Sequence, residues 1–136
     1  MFMLNELLIK DLSNQVSTNQ TDIQNLKTAN TYSTTETVCG TWTDGKPIYR
    51  VVIETTTPTT VGNWKEIYTG HSVYKIISYG GYYTSSATLS WAIPLNTNER
   101  NFWFSVNSSN NIQMAIDSSY DVSKNVVLWF DYVKTS

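Results

Sequence analysis

The sequence predicts a mainly β protein carried on an N-terminal α-helix, and three observations predict it. Residues 1–30 hold no glycine or proline and repeat their apolar residues every 3.5 positions. From residue 31 onward the pattern changes to short runs broken by Gly, Pro, Asn and Ser. The closing run, 125–135, is apolar on nearly both faces, as in a strand buried on both sides. The expected organisation is an α-helical coiled-coil stalk over 1–30 and an antiparallel β-sandwich or jelly-roll head over 31–136.

The helix comes first. With Ile9 at heptad position a, the a positions are Phe2, Ile9, Val16, Ile23 and Asn30, and the d positions Asn5, Leu12, Asn19 and Leu26. Ile9, Leu12, Val16, Asn19, Ile23 and Leu26 form one narrow seam between polar residues. A helix lying on its own globular core shows a wider apolar stripe, so the seam points to self-association. An ordinary surface helix is the alternative. β-branched residues at a with Leu at d lean toward dimers, so the seam alone does not give the strand number. Asn19 costs stability there but can fix register.

Leu4, Leu7 and Leu8 fall at c, f and g, off the seam. Leaving a Leu in water forgoes about 1.5–3 kcal/mol. Docking of this end into a larger partner would cover them, as would flared helices packing on one another; docking is the expectation.

The helix should stop near Ala29–Thr31, before a Thr-rich stretch. Strands are expected at 47–57, 73–79, 82–88, 88–94, 102–106, 112–117 and 125–135, about seven in all. Gly80-Gly81 reads as a two-residue hairpin turn and Asn107–Asn111 as a loop. In the last strand Val126, Leu128, Phe130 and Tyr132 alternate with Val127, Trp129, Asp131 and Val133. One face should fill the head's own core and the other could meet neighbouring subunits.

Composition closes several function classes. Net charge is −2 and no basic run occurs, so neither nucleic acid nor an anionic membrane surface is an expected partner. No apolar run approaches the roughly 20 residues of a membrane helix, and 1–9 lacks the basic and small-residue flanks of a signal peptide. The single Cys39 excludes an intrachain disulfide and suits assembly in a cytosol; it reads as a small buried hydrophobe. His71 is the only histidine, and no metal-ligand spacing, phosphate loop or nucleophile motif accompanies it. No catalytic residue, metal or cofactor is expected, and the protein reads as a non-enzyme.

Aromatic residues are the one functional signal: five Trp and nine Tyr exceed what a small core needs. Flat rings stack on sugar faces, and polar side chains bind hydroxyls. Tyr79, Tyr82, Tyr83 and Tyr120 lie at or near Gly-, Asn- and Ser-rich segments and are the candidate ligand-binding residues. Rim or subunit-interface packing is the equal alternative. Trp64, Trp91 and Trp103 are expected in the core.

The segment 32–50, Y-S-T-T-E-T-V-C-G-T-W-T-D-G-K-P-I-Y-R, resembles a recurrent segment of phage and prophage fibre proteins, close to Y-S-T-x-E-x-x-V-G-x-W-x-D-G-K-P-x-Y. The ending L-W-F-D-Y-V-K-T is similar to that family's closing strand. Cys39 departs from the aliphatic residue usual there. The resemblance implies a homotrimeric tail, baseplate or head fibre of a virion, assembled in the host bacterial cytoplasm. It does not identify the ligand. Leu4, Leu7 and Leu8, off the seam, give the expectation that the N-terminal end attaches to a larger virion protein. The aromatic surplus makes a bacterial surface glycan the expected ligand of the head; a fibre or decoration protein without a glycan ligand is the alternative. Within the motif, Trp42, Asp44, Gly45 and Tyr49 read as a structural collar. Asp44-Gly45 makes a tight turn, and Trp42 and Tyr49 can pack across it.

Overall fold

A computed structural model describes residues 2–94 and 100–135. Met1, counted in the expected attachment segment, lies outside them. One helix, α1 (Phe2–Ala29), precedes eight strands: β1 (Thr37–Thr41), β2 (Pro47–Thr56), β3 (Lys65–Tyr68), β4 (Val73–Ser86), β5 (Leu89–Ile93), β6 (Phe102–Val106), β7 (Ile112–Ile116) and β8 (Asn125–Lys134). A short 3-10 turn, Ser119–Asp121, lies between β7 and β8.

The helix ends where its side chains begin to satisfy its last carbonyls. Asn30 Nδ2 donates to Leu26 O at 3.1 Å, and Thr31 Oγ1 to Lys27 O at 2.8 Å. Lys27 in the last turn also suits the negative end of the helix dipole.

The strands form two antiparallel sheets, one ordered β1-β2-β8-β4-β5 and the other β3-β7-β6. Their inner faces share one core. Val51, Ile53, Tyr83, Val126, Leu128, Phe130 and Tyr132 face Phe102, Ile112, Met114 and Ile116 from the smaller sheet. Phe104 meets Phe130 edge-on at 5.3 Å and joins the layers. β8 occupies the middle of the larger sheet, hydrogen-bonded to β2 on one side and β4 on the other. Its inner alternation is fully buried, as expected of the closing run. Each such side chain contributes about 1.5–3 kcal/mol.

The expected hairpin at Gly80-Gly81 is absent, and the reason is local. β4 runs unbroken through both glycines, pairing Gly80 with Trp129 and Gly81 with Leu128. A Cβ on Gly80 would lie 2.7 Å from Trp129 Nε1. Gly81 has φ +139°, and a Cβ there would meet the Val127 carbonyl oxygen at 2.1 Å. The pair therefore admits an indole and a close approach of the neighbouring backbone rather than a reversal. The chain turns instead at Ala87-Thr88. Two short strands, β1 and β3, were hidden in Thr-rich and turn-rich sequence that lacks a clear alternation.

Candidate functional site

The seam residues lie exposed on the single chain. Ile9, Leu12, Val16, Ile23 and Leu26 are 51–66% exposed, and Asn19 shares their stripe in the open. Leu4, Leu7 and Leu8 are likewise exposed. Only the last turns touch the head: Asp22, Asn25 and Leu26 share a cleft of about 730 Å³ with Val38, Cys39, Gly40 and Thr41 of β1. Cys39 is half-buried there rather than enclosed. Burial, and then the Asp131 carboxylate, push its thiol pKa up and keep it protonated and unreactive.

The collar turn is built as its residues suggest, with one correction. Gly45 N donates to Trp42 O at 2.9 Å, Trp42 N to Lys46 O at 2.8 Å, and Lys46 N to Asp44 Oδ1 at 3.0 Å. Trp42 and Tyr49 do not form the expected pair. Tyr49 stacks on Tyr132, centroids 5.9 Å apart, while Trp42 borders a recess with Lys75, Ile76, Ile77 and Val133.

The four candidate tyrosines are not brought together. Tyr79 is at the edge of exposure and lies against Phe104 and Phe130, 5.0 and 6.2 Å away. Tyr83 is wholly buried, so the expectation that it meets a ligand is corrected. Its hydroxyl accepts from the Arg100 guanidinium, which also pairs with the buried Asp121. Burial, with Asp121 nearby, pushes the Tyr83 phenol up. Tyr82 points to the opposite face of the large sheet and is 47% exposed; Tyr120, in the 3-10 turn at one end of the sandwich, is 79% exposed. The tryptophans are corrected in the other sense. Trp64, Trp91 and Trp103 are 43–49% exposed and lie outside the core. The size and apolarity of their rings suggested core packing; the register places Trp103 opposite Ala115 on the outside of the smaller sheet.

Two clusters have no signal in the sequence beyond the residues themselves. At one end of the sandwich, Glu36 in the connector between α1 and β1 accepts from Lys134 Nζ at 2.6 Å, from Tyr68 at 3.2 Å and from the Tyr132 hydroxyl. His71 stacks on Tyr68 at 4.0 Å, with Nδ1 3.6 Å from the same carboxylate. Burial alone would raise the Glu36 carboxyl, but the hydrogen bonds from Lys134 and Tyr132 outweigh it and hold it below its ordinary value. Tyr68 is pushed up to about 12, chiefly by burial, so it remains a donor. On the outer face of the large sheet, Arg50 binds Asp131 with two bonds of 2.7 and 2.8 Å. Its guanidinium lies 4.5 Å from the centroid of Tyr32, which meets Trp129 edge-on at 5.8 Å.

These groups position one another. His71 and Cys39 keep different partners: Glu36 and Tyr68 surround the former, Asp131 and Arg50 the latter. Among the described residues no three His, Cys, Asp or Glu side chains converge to hold a metal ion, and no helix is long and apolar enough to cross a membrane. Comparison with protein-family models, with curated proteins and with solved structures finds no match to this chain.

Proposed function

We propose that the chain is a non-enzymatic fibre protein of a phage virion. In this reading it is a parallel homotrimer with a coiled-coil stalk and a jelly-roll-like head that binds a bacterial surface glycan. The observation that carries it is the exposed seam. A 28-residue helix presents Ile9, Leu12, Val16, Ile23 and Leu26 to water at more than half their surface. Such a helix is stable only when the seam is covered. Trimer rather than dimer follows from the likeness of the 32–50 motif to fibre proteins. Three copies of a weak site on one axis would give avidity without any single strong contact.

The N-terminal end attaches to a larger virion protein, which covers Leu4, Leu7 and Leu8, and the head points outward. Sedimentation equilibrium at micromolar concentration should report a trimer; a monomer or dimer defeats the assembly. Removing residues 1–8 should leave a folded trimeric head that no longer enters particles. Normal incorporation would place the attachment surface on the head. A structural or decorating role without a glycan is the second reading. It is favoured by Tyr79 and Tyr83, which serve packing and so remove half of the candidate binding residues. Failure of the purified protein to retain host-cell envelope fragments would select it.

A further inference from the structure

We propose that the outer face of the large sheet carries a saccharide site, a groove between the connector and β4 that takes a neutral hexose or N-acetylhexosamine. It rests on the receptor-binding reading above and gives that reading a place and a ligand class. The groove encloses about 330 Å³, lined by Tyr32, Ser33, Thr34, Glu54, Tyr82 and Trp129 among others. That volume is at the lower end of small-molecule sites, which run from about 300 to 1,000 Å³.

Two of its rings, Tyr82 and Trp129, stand on strands of the sheet, and the third, Tyr32, on the connector. The Trp129 indole lies across Gly80, where no Cβ could fit. Tyr32 closes on it edge-on, and Arg50, fixed by Asp131, packs beneath Tyr32 and beside Trp129 at 4.5 and 5.7 Å. The connector that carries Tyr32 is itself pinned, since Val52 N donates to Ser33 O at 2.8 Å. Tyr32 and Tyr82 keep about half their surface in water. Aromatic faces fixed before binding lose little entropy when a ligand arrives.

The ligand class follows from what surrounds those faces. Ser33 and Thr34 bring hydroxyls and Glu54 an exposed carboxylate to a groove whose other walls are the rings of Tyr32, Tyr82 and Trp129 and an aliphatic floor of Val52, Val127 and Leu128. A pyranose offers the matching pair of surfaces: an apolar C–H face for the rings and a rim of hydroxyls for the polar groups. A purely apolar side chain would leave Glu54 and the hydroxyls desolvated without partners. An acidic sugar or a phosphate would meet Glu54 with like charge, while the nearest guanidinium is already paired with Asp131.

Titration of the full chain with the methyl glycosides of glucose, galactose, N-acetylglucosamine and glucuronic acid, read by saturation-transfer NMR, tests the site. At least one neutral glycoside should bind saturably and the glucuronide should not. Tyr82→Ala should weaken binding at least tenfold and Tyr82→Phe should retain it. Glu54→Gln should weaken it by a smaller factor, and Tyr120→Ala, away from the groove, should leave it unchanged. Binding lost in Tyr120→Ala and kept in Tyr82→Ala overturns the groove while the receptor-binding reading stands. Silence from all four glycosides overturns the groove as well, and retention of host-cell envelope by the same preparation then shows whether the wider reading survives. A fall in assembly mass on Tyr82→Ala would assign the groove to a contact between copies and overturn the proposal too.

Discussion

The Glu36 carboxylate, in the connector that leaves the helix, accepts a hydrogen bond from the hydroxyl of Tyr132, a fully buried side chain of the last strand. Residues 96 positions apart are thus tied at the point where stalk meets head. The carboxyl is lower in the folded chain than in the unfolded one. It therefore contributes stability that is present above the unfolded value, about 4.3, and lost as the pH falls through the depressed folded value. Glu36→Gln should cost about 1–3 kcal/mol near neutrality. The gap between wild-type and variant melting temperatures should close as the pH is lowered below about 4. A gap that is constant with pH would mean the carboxylate charge is not what holds the connector.

Gly80 is the partner that lets the Trp129 indole lie on the sheet. Gly80→Ala should push the indole off its position and cost about 1–3 kcal/mol, as overpacking does. Near-UV circular dichroism should change with it. An unaltered melt would show that the ring moves aside freely.

Asp121 is fully buried and holds Arg100 against Tyr83. Asp121→Ala strands the guanidinium and should cost about 3 kcal/mol, the low end for a broken buried pair, because a quarter of the Arg100 side chain still reaches water. Denaturant titration measures it. A loss below about 1 kcal/mol would class the pair with surface bridges.

Ile23→Glu places a charge in the seam and should abolish the proposed trimer while far-UV spectra keep their β signature. Asn19→Ile should act in the opposite direction and raise thermal stability, since an amide at a core position is kept for register. A marked drop in melting temperature for Asn19→Ile would contradict that role.

The helix was legible because its period is local: nothing outside 2–29 is needed to recognise it. The same holds for β8, whose unbroken apolar run announced its burial on the inner face. Gly80-Gly81 failed for the opposite reason. Whether a glycine pair turns or receives a neighbour depends on Trp129, nearly fifty residues away. Trp64, Trp91 and Trp103 failed because a half-exposed ring and a buried one look alike in a sequence. Of the candidate binding residues, Tyr82 and Tyr120 are exposed, whereas Tyr79 packs and Tyr83 is enclosed. The Glu36 cluster was out of reach, since it joins the connector, β3 and β8 through contacts that span up to 98 positions.

The place of β8 sets the order of events during synthesis. The strands on both of its sides, β2 and β4, leave the ribosome well before it, yet each has only its outer neighbour, β1 or β5, until 125–134 arrive between them. Long-range pairing of this kind is slow and leaves edges open meanwhile. The helix, by contrast, is complete while most of the chain is still untranslated. In the proposed assembly, neighbouring nascent chains on one message therefore zip their stalks first and close their heads last. A ribosome that stops early then yields subunits that associate but have no head, and these are the species for chaperones and proteases to remove.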